Sequence, residues 1–294
     1  MHKPKASLII AFYNNVNLLD LIFKALSNQT EMNFEVVIAD DGSNSYAVNY
    51  IKEKSASLPF SVKHTWHEDQ GFRKNRILNH AVLLSKSEYL IFIDGDCIPE
   101  NHFIEDHVNN AQMGTALSGR RVELPEFLTP LIHGNPHPER FFKQFKWQIL
   151  SKYLFTSSDA ETKGRRNRGR HVEKGIRLPY AWQQKLIGGF TSSDILGCNF
   201  SLFKEDLLKV NGFDMRYEAP AVGEDSDVDY RLGLIGIKTR ALKGLAIQIH
   251  LYHPWLDRDS PNKELFKETI ERERFWAELG IDTLKESDKT KLVD

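Results

Sequence analysis

The feature that most restricts the fold is an alternation of short apolar runs with segments of helical periodicity in the first third of the chain. Residues 7–12 and 34–39 are apolar and β-branched, and they flank a segment in which apolar residues recur every three or four positions. Strand, helix and strand in this order are typical of a βαβ unit with parallel strands. The alternation continues with a helical pattern at about 45–56, a short strand near 61–64 and a helical pattern at about 73–84. We therefore predict an α/β protein.

Polar side chains follow these strands at the points where the strands end. Tyr13 follows the first strand, and Asp40 and Asp41 follow the second. Open α/β sheets bind ligands beyond the carboxyl ends of their strands. We therefore expect a ligand site at this edge of the sheet.

The segment Asp94-Gly95-Asp96 places two carboxylates directly after the apolar run 89–93. In extended backbone, residues i and i+2 point to the same side, so the two carboxylates converge, and the glycine leaves room for a ligand. A hard divalent cation such as Mg²⁺ or Mn²⁺ relieves their repulsion and also binds phosphate oxygens. Asp-Gly-Asp is equally good turn chemistry, so the motif alone leaves a metal–diphosphate site and a surface turn both open.

Composition narrows the class of protein. With 294 residues, of which 41% are hydrophobic and 27% charged, the chain can bury a substantial core, and its formal charge of −1 argues against a nucleic-acid partner. The chain has two cysteines, Cys97 and Cys198. This small number fits a reducing cytosol and excludes a disulfide framework or a cysteine-rich zinc site. No apolar run is long enough for a signal peptide or a membrane span. We expect a soluble, cytoplasmic protein, with a peripheral contact at the inner face of the membrane left open.

Basic residues begin the predicted helix at 73–84. Arg73, Lys74 and Arg76 fall in its first turn, where cations oppose the helix dipole. A phosphate ligand makes the position of these cations favourable, because a helix N-terminus that carries arginine is a good anion site. The alternative is a solvated charged face, which is favoured more for Arg73 and Lys74 than for Arg76.

The composition changes between about 125 and 180. An aromatic and basic segment at 140–147 precedes a run at 163–171 that has almost no apolar residue and predicts a mobile, solvated loop. Residues 140–155 suit an amphipathic helix on an anionic membrane surface, or a helix whose aromatic residues belong to the core.

Four acids within six positions, Glu224, Asp225, Asp227 and Asp229, open another apparent helix and suit the positive end of its dipole. Capping needs only one or two of them, so the excess indicates that at least one acid faces a ligand. Asp225 or Glu224 is suited to act as a general base toward an incoming hydroxyl group.

Two histidines follow the last predicted strand, at about 238–249. His250 and His253 point to opposite sides of an ideal strand, so both face one site only if the chain leaves the strand, and Pro254 favours that departure. A structural role is the usual one for a single histidine, whereas two histidines in a chain that also offers Asp96 suggest a metal site.

Several segments of the chain match a known family in their order. In the first half they are Ala11-Phe12-Tyr13-Asn14, Asp40-Asp41-Gly42-Ser43, Arg76-Ile77-Leu78-Asn79 and Asp94-Gly95-Asp96. In the second half they are Asn211-Gly212-Phe213, Gly223-Glu224-Asp225-Ser226-Asp227, Arg231-Leu232, and His253 followed by Pro261-Asn262. The chain resembles glycosyltransferase family 2 in its first half and the β-1,4-galactosyltransferase group in its second.

This resemblance implies a GT-A fold, in which a Rossmann-like, mostly parallel central sheet is flanked by helices in a single large domain with an insertion. It implies a nucleotide-sugar-binding half at 1–123 and a basic, aromatic insertion at 124–185. An acceptor-binding and catalytic half at 186–262 and a helical tail at 263–294 follow.

The resemblance also implies how the donor is bound. Asp41, with Asp40 beside it, contacts the uracil or ribose of a nucleotide sugar, and Tyr13 packs beside the base. Arg76 and Asp94 help to hold the donor.

For the metal and the chemistry, the resemblance implies that Asp96 binds Mn²⁺ or Mg²⁺ on the diphosphate, together with His253 and His250. Asp225 is the implied base, with Glu224 next to it. The expected function is that of an inverting, metal-dependent hexosyl- or N-acetylhexosaminyltransferase, which moves a sugar from a UDP-linked donor to a saccharide acceptor, lipid-linked or free, in polysaccharide or glycan biosynthesis.

Two alternatives come from other classes. A nucleotide-sugar or polysaccharide binding module without catalysis would not need both Asp225 and Asp96. A nucleotidyltransferase would need a glycine-rich, basic phosphate loop after the first strand, where this chain has Tyr13-Asn14-Asn15.

Overall fold

The structure is a computed structural model that describes residues 3–187, 191–220, 222–253, 260–284 and 291–292. Its strands are β1 (Ala6–Phe12), β2 (Phe34–Asp40), β3 (Ser61–Trp66), β4 (Tyr89–Asp94), β5 (Cys97–Pro99), β6 (Thr115–Ser118), β7 (Arg120–Glu123), β8 (Thr191–Ser192), β9 (Asn199–Phe203), β10 (Lys238–Ala241), β11 (Ile247–His250) and β12 (Lys291–Leu292). Its α-helices are α1 (Val16–Leu26), α2 (Ser45–Ser55), α3 (Lys74–Leu84), α4 (Phe103–Asn109), α5 (Thr129–His133), α6 (Phe141–Phe155), α7 (Ala181–Leu186), α8 (Lys204–Leu208), α9 (Asp225–Leu234) and α10 (Asn262–Glu271).

Two sheets organise these elements. The larger sheet has the order β12-β3-β2-β1-β4-β9-β6-β10-β8, and the smaller one has the order β5-β11-β7. Neighbours among β3, β2, β1 and β4 are parallel, whereas β9 is antiparallel to both β4 and β6. The predicted α/β fold around a mostly parallel central sheet is confirmed.

The larger sheet is buried on both faces because its strands alternate between two cores. Leu8 and Ile10 of β1 pack with Ile22 of α1, whereas Ile9 packs on the other face with Ile77 of α3. This period of two is what a strand covered by helices on both sides requires.

The insertion packs onto the first of these cores. Phe141, Phe142 and Ile149 on the inner face of α6 belong to the same buried cluster as Leu8 and Ile10. Within the described ranges, no helix combines the length and the hydropathy that crossing a bilayer requires.

One predicted strand is divided because the chain passes between the two sheets. The strand predicted at about 238–249 consists of β10 in the larger sheet and β11 in the smaller one. In the same way, β6 belongs to the larger sheet and β7 to the smaller one.

The prediction of a solvated loop at 163–171 was wrong for Arg165. Arg165 is buried, and its Nε lies 3.0 Å from Glu123 Oε2 of β7. Arg170 pairs with Glu123 through reciprocal backbone hydrogen bonds of 3.0 Å. A buried carboxylate on a neighbouring strand, which no local pattern reveals, holds this run in place.

Candidate active site

The parallel register of the central strands brings three strand ends together. Phe12 of β1 is level with Asp40 of β2, and Ala11 is level with Asp94 of β4. Polar residues after β1, β2 and β4 therefore meet at one edge of the sheet, where α/β proteins bind ligands.

Asp41 lies at this edge and fixes the start of α3. Its carboxylate accepts a hydrogen bond of 3.0 Å from the backbone N–H of Arg73 and lies 2.8 Å from His67 Nε2. Tyr13, whose side chain is more than half exposed, donates its hydroxyl to Asp69 Oδ2 at 2.9 Å. An exposed aromatic ring and an anchored carboxylate are thus the groups that this edge offers to a ligand.

Asp40 is buried too deeply for a direct contact with a ligand. It is fully buried, accepts the backbone N–H of Ser43 at 2.8 Å, and lies 2.9 Å from His64 Nε2. These contacts stabilise the turn that carries Asp41, so Asp40 has a structural role.

Lys74 joins the two acidic segments of the sequence. Its Nζ lies 2.8 Å from Asp94 Oδ1 and 3.2 Å from Glu224 Oε1. Burial lowers the pKa of Lys74, but the two carboxylates outweigh burial and raise it well above its ordinary value, so Lys74 is a cation.

The prediction that Lys74 lies on a solvated face was wrong, because its side chain is only 15% exposed. The start of α9 lies over the start of α3, and this long-range contact is what encloses the lysine. The one signal in the sequence was the unfavourable place of a cation in the first turn of a helix. Arg76 lies half-buried in the same turn.

Glu224 lies on the other side of Lys74. Its Oε2 is buried and has no hydrogen-bond partner within the part of the chain that the structure describes. Burial raises the pKa of Glu224, Lys74 lowers it and Asp94 raises it, and the net shift is upward. A carboxyl group with a raised pKa exchanges protons more readily near neutral pH.

Asp225 is the first residue of α9 and lines the same crevice as Lys74, Asp94 and Glu224. Its Oδ2 accepts the backbone N–H of Gly197 at 3.0 Å. A Cβ atom at Gly197 would lie 2.8 Å from this oxygen, so the glycine is required for the approach. The carboxylate is thereby held in a fixed orientation.

The remaining acids of the segment have structural partners. Asp227 pairs with Arg231 at 2.7 Å, with both side chains buried, and Arg231 donates to the backbone carbonyl groups of Val210 and Gly212. Asp229 accepts the hydroxyl group of Thr239 at 2.6 Å. Two of the four acids in this segment are therefore structural, and the other two line the crevice.

A second cluster forms around Asp96. Its Oδ2 lies 3.3 Å from His250 Nε2 and 3.8 Å from His253 Nε2. The register explains the approach, because β11 pairs with β5 so that His250 is level with Cys97, and the backbone N–H of Leu251 donates to the carbonyl of Asp96.

The histidine rings lie 5.0 Å apart, since the chain leaves β11 after His250 as the sequence suggested. Pro254, expected to cause this departure, lies outside the described residues. Burial raises the pKa of Asp96, but the neighbouring imidazoles hold it well below its usual range.

The donor set of this second cluster fits a divalent metal ion. Asp96, Cys97 and His250 each offer a ligand atom within 4.8 Å of the others, and His253 adds an imidazole. The thiol of Cys97, which the sequence did not single out, donates to Asp96 Oδ1 at 3.3 Å. Burial raises the pKa of Cys97 well above its ordinary value, so in this environment it acts as a hydrogen-bond donor.

Comparison with known families identifies the class to which the chain belongs. Residues 7–158, just over half of the chain, match the family described as glycosyl transferase family 2. The chain belongs to glycosyl transferase family 2. Residues 182–254 of the same chain match the family described as the N-terminal domain of galactosyltransferase. Both resemblances seen in the sequence are confirmed.

One curated relative supports this assignment, and two solved structures share the fold. The validoxylamine A glucosyltransferase of Streptomyces hygroscopicus subsp. jinggangensis is 26% identical over 253 residues, which cover 80% of this chain and 53% of that one, so this chain spans about half of that relative. TarS of S. aureus aligns with a TM-score of 0.53 at 15% identity over 95% of this chain and 41% of its own. A mannosyltransferase of Pyrobaculum calidifontis, in complex with GDP-Man and Mn²⁺, aligns with a TM-score of 0.50 at 16% identity over 91% of this chain and 61% of its own. The GT-A fold is confirmed.

The structure thus brings most of the expected site residues of this family 2 chain together in three groups. They are the strand-end group of Tyr13 and Asp41, the crevice group of Asp94, Glu224 and Asp225 around Lys74, and the metal-ligand group of Asp96, His250 and His253.

Proposed function

We propose that this protein is an inverting, metal-dependent glycosyltransferase that moves a sugar from a nucleotide sugar to a hydroxyl group of a saccharide acceptor in glycan biosynthesis. The observation that carries the proposal is the position of Lys74 between Asp94 and Glu224, in one crevice with Asp225. This crevice combines a fixed cation suited to a phosphate with carboxylates suited to accept a proton.

The donor lies at the ends of the central strands in this proposal. Tyr13 packs beside the base, Asp41 contacts the nucleoside, and Arg76 and Asp94 help to hold the donor. The motif resemblance supports a UDP-linked hexose or N-acetylhexosamine, and the likeness to a fold that holds GDP-Man and Mn²⁺ supports a nucleotide sugar in general.

Asp225 accepts the proton of the acceptor hydroxyl as its oxygen attacks the anomeric carbon, while the bond to the nucleoside diphosphate breaks on the opposite side and the configuration inverts. Asp96, His250 and His253 would hold a divalent cation, which would supply charge stabilisation to the departing diphosphate. The mixed carboxylate and imidazole donors favour Mn²⁺ over Mg²⁺. Lys74 keeps Asp94 and Glu224 in place against their mutual repulsion.

A screen of UDP-sugars tests the proposal. Purified protein is incubated with each UDP-hexose and UDP-N-acetylhexosamine, with Mn²⁺ or with EDTA, and release of UDP is measured. We expect slow hydrolysis of one donor that depends on Mn²⁺. Donor binding without hydrolysis or transfer to any saccharide would identify a binding module, and activity unaffected by EDTA would remove the metal from the mechanism.

The base assignment is tested by Asp225→Asn, which keeps the shape of the side chain but cannot accept the proton. We expect the transfer rate to fall by about two to four orders of magnitude, with donor affinity little changed. Asp229→Asn is the matched control, because Asp229 bonds to Thr239 rather than lining the crevice. Equal transfer rates for Asp225→Asn and the parent would contradict the assignment.

We also propose that the protein works in the cytoplasm at the inner face of the membrane, where a lipid-linked acceptor is presented. The support is α6, whose outer side exposes Trp147, Leu154 and Phe155, and which carries three lysines and no acid. Exposed aromatic residues beside lysines suit an anionic lipid surface.

A further inference from the structure

A thiol lies beside the metal-ligand group of Asp96, His250 and His253. One ligand atom of each of Asp96, Cys97 and His250 lies within 4.8 Å of the other two. The resemblance to known families implied Asp96 and the two histidines as ligands, whereas Cys97 was brought in by the structure alone. A sulfur ligand changes which metal ion such a group prefers, because thiolates select softer ions than carboxylates do.

The strand pairing determines where this thiol lies. Cys97 of β5 is level with His250 of β11 in an antiparallel pair, and residues directly opposite each other in such a pair place their side chains on the same face. Asp96 precedes β5 in the turn after β4, so the alternation of a strand does not force its carboxylate to the opposite face. The backbone register therefore brings sulfur and imidazole together next to the carboxylate.

The distances between the ligand atoms suit a tetrahedral zinc ion. Cys97 Sγ lies 3.3 Å from Asp96 Oδ1, and His250 Nε2 lies 3.3 Å from Asp96 Oδ2. Bonds of about 2.3 Å from zinc to sulfur and about 2.0 Å to nitrogen and oxygen put the ligand atoms of a tetrahedron roughly 3.3 to 3.6 Å apart. Small movements of these side chains would therefore close the three ligands around the ion.

The three ligands differ in their exposure. Cys97 is fully buried and His250 is 5% exposed, whereas the side chain of Asp96 is 30% exposed. An ion can therefore approach from the side of the carboxylate and meet a thiol and an imidazole that packing already holds in place. A metal site needs such an entry path as well as a suitable set of ligands.

We propose that Cys97 is a ligand for thiophilic divalent ions in this group, so that Zn²⁺ displaces Mn²⁺ and weakens binding of the donor. This inference rests on the proposed function, because it adds regulation by zinc to that site. Zinc binds a given set of nitrogen and oxygen ligands more tightly than manganese does, and a thiolate increases the difference. The thiol of Cys97 loses its proton to water when it binds the metal.

Coordination number explains the effect on the donor. Zinc with three protein ligands keeps one open position in its tetrahedron. Manganese prefers six ligands, so Asp96, His250 and His253 leave several positions for diphosphate oxygens and water. A nucleoside diphosphate that binds through two of its oxygens is therefore held better by the manganese form than by the zinc form.

Cobalt serves as a spectroscopic probe of the thiol, because Zn²⁺ has a filled d shell and no visible spectrum. Co²⁺ is added to the purified protein, and the near-ultraviolet charge-transfer band that a thiolate ligand produces is recorded. We expect this band in the parent, its removal by Zn²⁺, and its absence from Cys97→Ser. A parent without the band, or a band retained in Cys97→Ser, would overturn the proposal.

Cys198→Ser is the matched control. Cys198 is the other cysteine of the chain, and its Sγ accepts hydrogen bonds from Arg121 and Gln248, both at 3.3 Å. We expect the cobalt band to persist in this variant. In case Cys97→Ser does not fold, Cys97→Ala repeats the measurement without placing a hydroxyl group in a buried position.

Calorimetric titration separates metal binding by Cys97 from a structural role. We expect Zn²⁺ to displace Mn²⁺ from the parent. Cys97→Ser is expected to weaken Zn²⁺ binding by about 100-fold or more, since loss of a residue that only supports a ligand already costs up to about 100-fold. Mn²⁺ affinity should change little, because manganese prefers oxygen ligands to a thiol. Equal losses for both ions, or failure of Zn²⁺ to displace Mn²⁺ from the parent, would contradict the proposal.

Titration with UDP tests the effect on the donor. We expect UDP to bind the protein loaded with Mn²⁺ more tightly than the protein loaded with Zn²⁺. Equal affinity of UDP for the two forms would disprove regulation by zinc. If UDP binds neither form while the cobalt band depends on Cys97, the result would count against the proposed function and not against the thiol ligand.

Discussion

Lys74 shows how one side chain stabilises an otherwise repulsive arrangement. Asp94 and Glu224 each lie within 3.2 Å of its Nζ, and both carboxylates are partly withdrawn from water. Without the lysine, two negative charges would face each other at low effective dielectric, where repulsion is strong. We regard Lys74 as a positioning residue that also offers a positive charge to the diphosphate.

Replacement of Lys74 tests this role. Lys74→Gln is expected to lower kcat/KM by roughly two orders of magnitude, the usual effect of removing one preorganised electrostatic group. Because Lys74 lowers the pKa of Glu224, its removal raises that pKa further, so the contribution of Glu224 to the acid limb of the pH–rate profile moves to higher pH. Both quantities are measured from initial rates across pH.

The control for this variant is Lys52→Gln, at an exposed position of α2. It is expected to leave the rate and the profile unchanged. Loss of activity in Lys74→Gln with an unshifted profile would indicate a purely structural role. Lys74→Arg, which keeps the charge, is expected to recover part of the activity.

His107 is a buried residue whose charge state links pH to stability. Its ring lies 2.7 Å from Ser201 Oγ and 3.0 Å from Asn199 Oδ1, and burial lowers its pKa to about 4. In the unfolded chain, this histidine has an ordinary pKa near 6.5 and binds a proton below that pH. In the folded protein, it binds the proton only when the pH falls to about 4. Stability is therefore complete above the unfolded pKa and falls as the pH drops between these two values.

The test compares urea unfolding at pH 7 and pH 5. We expect the parent to lose roughly 2 kcal/mol more of its unfolding free energy over this interval than His107→Gln does. His133→Gln, at an exposed position, should retain the pH dependence of the parent. Identical pH dependence in the parent and His107→Gln would show that His107 is not the group responsible.

Among the elements, β11 decides where the metal ligands meet. Its antiparallel pairing with β5 sets His250 beside Cys97, and its parallel pairing with β7 sets His250 beside Glu123. One short strand therefore sets His250 between Cys97 of β5 and Glu123 of β7. A shift of its register by one residue would turn His250 to the other face.

Helix α6 is the element on which the proposed membrane contact depends. Changing its three lysines to glutamine is expected to weaken binding to vesicles that contain phosphatidylglycerol by about two orders of magnitude, at roughly 1 kcal/mol for each lysine. Co-sedimentation with the vesicles measures the change. The lysines to be replaced are Lys143, Lys146 and Lys152.

A charge-matched triple variant at positions outside α6 is the control, and it should bind vesicles as the parent does. Its positions are Lys24, Lys52 and Lys267. If the parent does not sediment with anionic vesicles, or sediments equally with neutral ones, the proposed electrostatic contact with the membrane is wrong.

At the scale of the whole molecule, the metal-ligand and donor residues come from distant parts of the chain that only the folded state brings together. Mn²⁺ and UDP should therefore bind the native state and raise its stability. With each at 100 times its dissociation constant, one bound ligand contributes about 2.7 kcal/mol, which corresponds to roughly 5 °C in Tm for a chain of this size.

Differential scanning calorimetry measures this shift. Asp96→Asn is expected to abolish the part that depends on Mn²⁺, whereas Asp194→Asn, at an exposed position, should retain it. An Mn²⁺-dependent shift of equal size in Asp96→Asn would remove Asp96 from the metal site.

The sequence by itself determined the α/β class, because the strand and helix periods are local properties of consecutive residues. It also placed Asp41 and Asp94 at the end of parallel strands, since an acid directly after an apolar run can lie only at the edge of the sheet. The residues also indicated Asp96, Asp225 and His253 as candidates, and the family motifs gave each of them a role; all three remain predictions as site residues.

The tertiary structure alone decided which charged residues meet. Lys74 and Arg165 were expected at solvated surfaces, and both are enclosed by carboxylates from distant strands and helices. Asp227 and Asp225 stand two positions apart in sequence, yet one is locked in a buried ion pair and the other lines the crevice. The physical reason is that the partner of a charge is set by long-range packing, which leaves no periodic signal in the neighbouring residues.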